Sequence, residues 1–143
     1  MKKIYLLVLI ALIFTACTKD DANTVSAIPP ELIGKWHQVS ERQVSYTDGK
    51  QTSVYEQTNY TAGSYVQYNT DGTVTYNQDG QVKDTYKYSV KNNMLTLMDN
   101  TGKRIDADSK ITVTAKTLNL HQDVSIKGSN ESGTIDYDFV RVN

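Results

Sequence analysis

At 143 residues and 16.0 kDa the chain is long enough for one domain and short for two. Fifteen basic residues stand against 16 acidic ones, a net charge of −1, which gives no broad electrostatic basis for binding nucleic acid. One cysteine and two histidines exclude a disulfide framework and a cysteine-built zinc site, and neither a metal centre nor a cofactor is expected.

The first segment, residues 1–16, differs from everything after it. Lys2 and Lys3 form a positive start, and Ile4 to Phe14 is an uninterrupted apolar run of eleven residues. A bilayer crossing takes about 20 such residues, so this length fits the apolar region of a signal peptide instead. Thr15 and Ala16 follow, and then the single cysteine, Cys17. A lone cysteine behind an apolar run and a small residue resembles the bacterial lipobox. The resemblance implies that the peptide is cut before Cys17 and that the thiol and new amino terminus are acylated. Phe14 departs from the Leu usual in that family at this position. One acyl chain gives marginal membrane binding at about 0.8 kcal/mol per buried methylene, and two or three give stable attachment. An ordinary secretory signal with an incidental thiol is the alternative.

Lys19-Asp20-Asp21, directly behind the cysteine, resembles the export signal of Bacteroidetes lipoproteins. It implies an outer-membrane address with the protein facing outward. Without that signal the protein would face the periplasm. Residues 17–30 then read as the lipidated cysteine and a flexible tether, small and polar, ending in Pro29-Pro30. A tether of about 13 residues reaches about 20 Å on average.

From Glu31 to Asn143 the chain reads as a meander of short strands. Removing Lys2 and Lys3 leaves 13 basic against 16 acidic residues in the chain after the signal segment, and nine of the ten tyrosines lie from Glu31 onward. Tyr and Thr favour pleated, half-buried surfaces. Turn pairs recur at Asp48-Gly49, Asp71-Gly72, Asp79-Gly80, Asn92-Asn93 and Thr101-Gly102. Asp-Gly between alternating segments is among the strongest hairpin signals. Between the turns Val66 and Tyr68 share a face, as do Val74 and Tyr76, then Tyr86, Tyr88 and Val90, then Leu95 and Leu97. Ile111 and Val113, Leu118 and Leu120, and Ile135, Tyr137 and Phe139 continue the alternation. No segment holds a 3.6-residue period, so little helix is expected. The segment Thr47–Gly63 is polar and reads as a loop carrying Tyr55 and Tyr60. The echo of YNTDGTV (68–74) in YNQDGQV (76–82) reads as two consecutive hairpin turns rather than a calcium loop or a carbohydrate-binding repeat.

Gly34-Lys35-Trp36 heads the first strand, and Arg141 closes the last. A Gly-x-Trp at the start of an all-β domain, with a basic residue near its end, resembles the lipocalin fold. The middle of the chain is similar to the short lipocalin-like domains of Bacteroidetes lipoproteins. The resemblance implies a small antiparallel up-and-down β-barrel of about eight strands over residues 31–143. It also implies that Trp36 plugs the closed end beneath Arg141 and that Gly34 permits close chain approach.

A domain this small buries under about 70% of its unfolded surface, so a large empty cup would be hard to sustain. The expectation is a narrow or shallow cavity at the open end. Its candidate ligand-binding residues are Tyr68, Tyr76, Tyr86, Tyr88 and Tyr137, with core packing as their alternative use. Nothing reads as catalytic. There is no nucleophile elbow or phosphate-cradling loop, His37 should point outward if Trp36 points inward, and Asp106, Asp108, Asp136 and Asp138 read as solubilising charges. The expected function is a non-enzymatic binding module for a small apolar molecule or a glycan fragment. The alternative is a protein-interaction module, either a hydrolase inhibitor or a subunit of an outer-membrane complex.

Overall fold

A computed structural model describes residues 28–143; the signal segment, Cys17 and most of the tether lie outside that range. A short 3-10 turn, Pro30–Leu32, leads into nine antiparallel strands: β1 (Gly34–Thr47), β2 (Lys50–Gln57), β3 (Tyr65–Tyr68), β4 (Thr73–Gln78), β5 (Gln81–Lys91), β6 (Met94–Met98), β7 (Ser109–Val113), β8 (Thr117–Ser125) and β9 (Glu131–Arg141). Neighbours in sequence pair in space, except that β3 pairs β1 and not β2, and β1 also pairs β9 along most of its length, from Trp36 opposite Arg141 to Thr47 opposite Glu131. The first and last strands thus close the sheet. The expected all-β barrel of eight strands is the fold.

The turns are made by the residue pairs that the sequence singles out. Asp48 and Gly49, Asp79 and Gly80, and Asn92 and Asn93 all have positive φ at both positions, which matches the right-handed twist of the strands they join. The echoed YN-x-DG segments form the β3–β4 and β4–β5 turns. Alternation then sorts the side chains. Trp36, Val74, Leu95 and Leu118 are almost fully buried, and Tyr68, Tyr88, Val90, Ile111 and Phe139 complete the inner wall.

Two features depart from a regular barrel. Residues Lys50–Gln57 form a strand, not the loop expected for Thr47–Gly63. β2 pairs with Glu41–Thr47 of β1 and extends the β1–β2 hairpin beyond the barrel. All of its residues but the last are exposed, so its side chains carry no apolar alternation. β1 also contains a bulge. Gln38 lies opposite Phe139 and Ser40 opposite Asp138, so one extra residue, Val39, is inserted. An inserted residue reverses which faces the following side chains occupy. Glu41 therefore stands beside Tyr137, on the face toward the barrel interior.

Candidate binding site

One end of the barrel is shut by a layered plug. Trp36 is completely buried, and its indole N–H donates to the Leu32 carbonyl at 2.8 Å. The Arg141 guanidinium lies 4.2 Å from the centre of the indole ring. Its Nη1 donates to the Ile33 carbonyl at 2.9 Å, its Nη2 to the Glu31 carbonyl, and its Nε to the Ala115 carbonyl at 2.8 Å. One side chain therefore ties the domain's start, its last strand and the β7–β8 turn together. Stacking of this kind contributes about 0.5–2 kcal/mol, depending on burial. Gly34 has φ +129, and a Cβ there would come within 2.6 Å of Arg141 Nη1. A side chain at this position would occupy the space the guanidinium needs.

Above the plug, the tyrosines divide into two groups. Tyr68 packs edge-on to Tyr88 at 5.1 Å, and the Tyr88 hydroxyl donates to the Asn69 carbonyl at 2.8 Å, near the closed end. Tyr76 packs edge-on to Tyr86 at 5.7 Å. Of the five candidate tyrosines, Tyr68, Tyr76 and Tyr137 line an interior cavity of about 190 Å³, whereas Tyr86 and Tyr88 do not. The rest of the lining is Gln38, Val66, Leu97, Asp106, Ser109, Leu120, Gln122 and Phe139.

The cavity is polar on one side. Gln122, 4% exposed, holds its amide nitrogen 3.0 Å from Ser109 Oγ, 3.1 Å from the Ala107 carbonyl and 3.3 Å from Asp106 Oδ2. Asp106 belongs to the Asp99–Asp108 loop at the open end. That loop is fastened by Thr96 donating to Asp108 at 2.6 Å and by an Arg104–Asp108 ion pair at 3.1 Å. Burial, and then the Asp106 charge, push the Tyr76 phenol up to about 12. Burial, Glu41 and Asp106 likewise raise Tyr137. Both phenols therefore stay neutral at physiological pH and can donate as well as accept hydrogen bonds. Gln38 contributes a buried Nε2 with no hydrogen-bond partner among the described residues. Asp106 reads from sequence as a solubilising charge, and nothing in the sequence singles out Gln38 or Gln122. Only the closed sheet shows that all three meet.

A second, larger hollow of about 340 Å³ lies along the upper ends of β1, β8 and β9, next to β2. It is the more open of the two, and Val124 and Ile126 on its wall are 37% and 57% exposed. The interior cavity is the better candidate because its aromatic walls and a few fixed polar groups converge on one space.

The remaining charged groups face outward. His37 Nδ1 donates to the Ser64 carbonyl at 2.8 Å. Asp138 accepts from Ser40 at 2.7 Å and from Asn119 at 2.9 Å. His121 Nδ1 lies 2.7 Å from Asp136 and its Nε2 lies 3.5 Å from Asp123. The hydrogen bond to Asp136, more than the charges, raises the His121 pKa above its usual 6.5. The protonated ring is thus favoured in the folded state. Its stabilisation is full below pH 6.5 and is lost as pH rises through the raised value. An Asp136→Asn variant should show a lower His121 pKa by NMR titration. Its melting-temperature deficit should be larger at about pH 5 than at about pH 9.

An eight-stranded antiparallel barrel, plugged at one end and hollow at the other, defines a class of small binding folds. Residues 32–120 match the family model of the lipocalin-like domain, and the chain belongs to that family. Neither the curated proteins nor the solved structures contain a match to the chain.

Proposed function

We propose that this protein is a non-catalytic, lipid-anchored module of the bacterial cell envelope that takes a small molecule in the open end of its barrel. The observation that carries the proposal is the 190 Å³ interior cavity, in which aromatic walls meet the fixed polar groups of Gln38, Asp106 and Gln122. Membership of the lipocalin-like family supports a ligand-binding role. The size of the cavity sets the scale of the ligand. Pockets for drug-sized molecules occupy about 300–1,000 Å³, so this one suits something smaller, a fragment-sized metabolite or a single sugar unit.

The test is a ligand-observed NMR screen of small fragments against the full chain and against Leu97→Phe. Leu97 is a partly buried lining residue, and a phenyl ring there would fill much of the cavity at a stability cost of about 1–3 kcal/mol. Hits should disappear in the variant while its fold persists. Hits that survive unchanged would place binding elsewhere.

The envelope address rests on Cys17 and the Lys19-Asp20-Asp21 segment. Acylation of Cys17 would hold the domain at the outer membrane, outward-facing if the charged segment acts as an export signal and periplasm-facing if it does not. Cys17→Ser should move the protein from the membrane fraction to the soluble fraction; continued membrane association would contradict lipidation.

A second reading, a protein-interaction module, draws on β2. That strand pairs with β1 on one side only, and its Val54 and Tyr55 are 44% and 52% exposed. Such an edge can pair with another chain.

A further inference from the structure

We propose that the barrel mouth selects a small organic cation, an amine of about ten non-hydrogen atoms with a hydrogen-bond acceptor at the end away from its nitrogen. The proposal rests on the reading of the interior cavity as a small-molecule site.

Charge gives the first argument. Among the described residues, Asp106 is the only ionisable carboxylate on the cavity wall, and no lysine or arginine lines it. Glu41 stands at the rim opposite Tyr137, where its carboxylate accepts from the Tyr60 hydroxyl at 2.9 Å. The basic residue of the adjacent loop, Arg104, is engaged elsewhere. Its Nη2 pairs with Asp108 at 3.1 Å, and its Nε donates to the Asp106 main-chain carbonyl at 2.8 Å. The Asp106 carboxylate accepts only from neutral groups, the Ala107 amide at 2.7 Å and Gln122 at 3.3 Å. Among the lining residues an entering anion would meet the Asp106 charge and no cation. An entering ammonium would meet the attraction of the Asp106 carboxylate, which stands exposed at the mouth of the cavity.

The walls give the second argument. Tyr76, Tyr137 and Phe139 present aromatic surface beside Asp106, and aromatic faces attract cations. Gln38 adds a demand at the floor. It lies opposite Phe139, deeper in the barrel than the Glu41–Tyr137 pair, and its buried Nε2 is a donor without a partner among the described residues. A buried amide left unsatisfied costs about 1–3 kcal/mol, so an acceptor on the ligand's inner end would relieve that cost. The two polar demands lie at different depths. A donor cation is wanted at the mouth and an acceptor near the floor.

Titration calorimetry on the full chain tests this with four probes of similar shape: tyramine, phenethylamine, 4-ethylphenol and 4-hydroxyphenylacetate. Tyramine should bind at least about tenfold tighter than the neutral 4-ethylphenol, and the anionic 4-hydroxyphenylacetate should bind weakest. Phenethylamine, lacking the hydroxyl, should fall several-fold below tyramine. Asp106→Asn should bring tyramine down to the level of 4-ethylphenol while leaving 4-ethylphenol within about twofold. If the neutral or anionic probe binds as tightly as tyramine, or if Asp106→Asn leaves tyramine unchanged, the cation assignment is overturned. The small-molecule reading would then stand on the Leu97-sensitive fragments. Binding by none of the four also overturns the assignment, and a fragment screen without Leu97-sensitive hits would overturn the reading beneath it.

Discussion

Trp36→Ala should lower the unfolding free energy by about 3–5 kcal/mol in urea denaturation, with an unchanged dependence on denaturant. The indole is completely buried, so its removal leaves a cavity at the closed end of the barrel. The same change deprives the Leu32 carbonyl of its donor and the Arg141 guanidinium of its stacking face. Trp36→Phe separates these contributions. It keeps a ring under Arg141 but loses the N–H and part of the volume, so it should cost less than the alanine change and still more than about 1 kcal/mol. If Trp36→Ala does not fold, the graded loss in Trp36→Phe still reports the plug. A nearly neutral result in both variants would contradict it.

Gly34→Ala should also be strongly destabilising, although it adds a single methyl group. Two effects act together. The backbone at φ +129 is a conformation that side-chain-bearing residues adopt only under strain of about 1–3 kcal/mol. The new Cβ would also come within 2.6 Å of Arg141 Nη1, which is fixed by its bond to Ile33 and cannot swing aside without breaking it. Gly49→Ala is the control, since Gly49 also has positive φ but a Cβ there meets nothing within 4 Å. It should lose only the strain. A double-mutant cycle isolates the second effect. In an Arg141→Ala background, Gly34→Ala should lose noticeably less stability than in the native chain. Full additivity would mean that glycine is required at this position for its backbone alone.

Much of this architecture is legible in the sequence because it depends on local chemistry. Asp48-Gly49, Asp79-Gly80 and Asn92-Asn93 make the same tight turns wherever they stand between strands, and the alternation of Tyr86, Tyr88 and Val90 against Leu95 and Leu97 fixes the inner face. The Trp36–Arg141 pairing could be anticipated because the two residues sit at opposite ends of a sheet that must close. The strand β2 is not legible for a physical reason. It is solvated on both faces, so nothing in KQTSVYEQ alternates, and pairing with β1 alone makes it a strand. The cavity's polar side escapes a sequence reading in a different way. The bulge at Val39 shifts Glu41 onto the inner face, and Asp106 reaches the mouth from a loop whose path is set by Thr96 and Arg104 holding Asp108. Tyr86 and Tyr88 share the inward parity of the lining tyrosines, yet they are taken up by packing and by the Asn69 carbonyl.

The most direct measurement is an NOE experiment on the complex with whichever of the four probes binds tightest. Intermolecular NOEs from the probe to ring protons of Tyr137 and Phe139 are expected, because both line the interior cavity above the plug. NOEs confined to Val54 and Tyr55 on the exposed strand β2, with none inside the barrel, would contradict the interior site and favour a surface role for the hairpin.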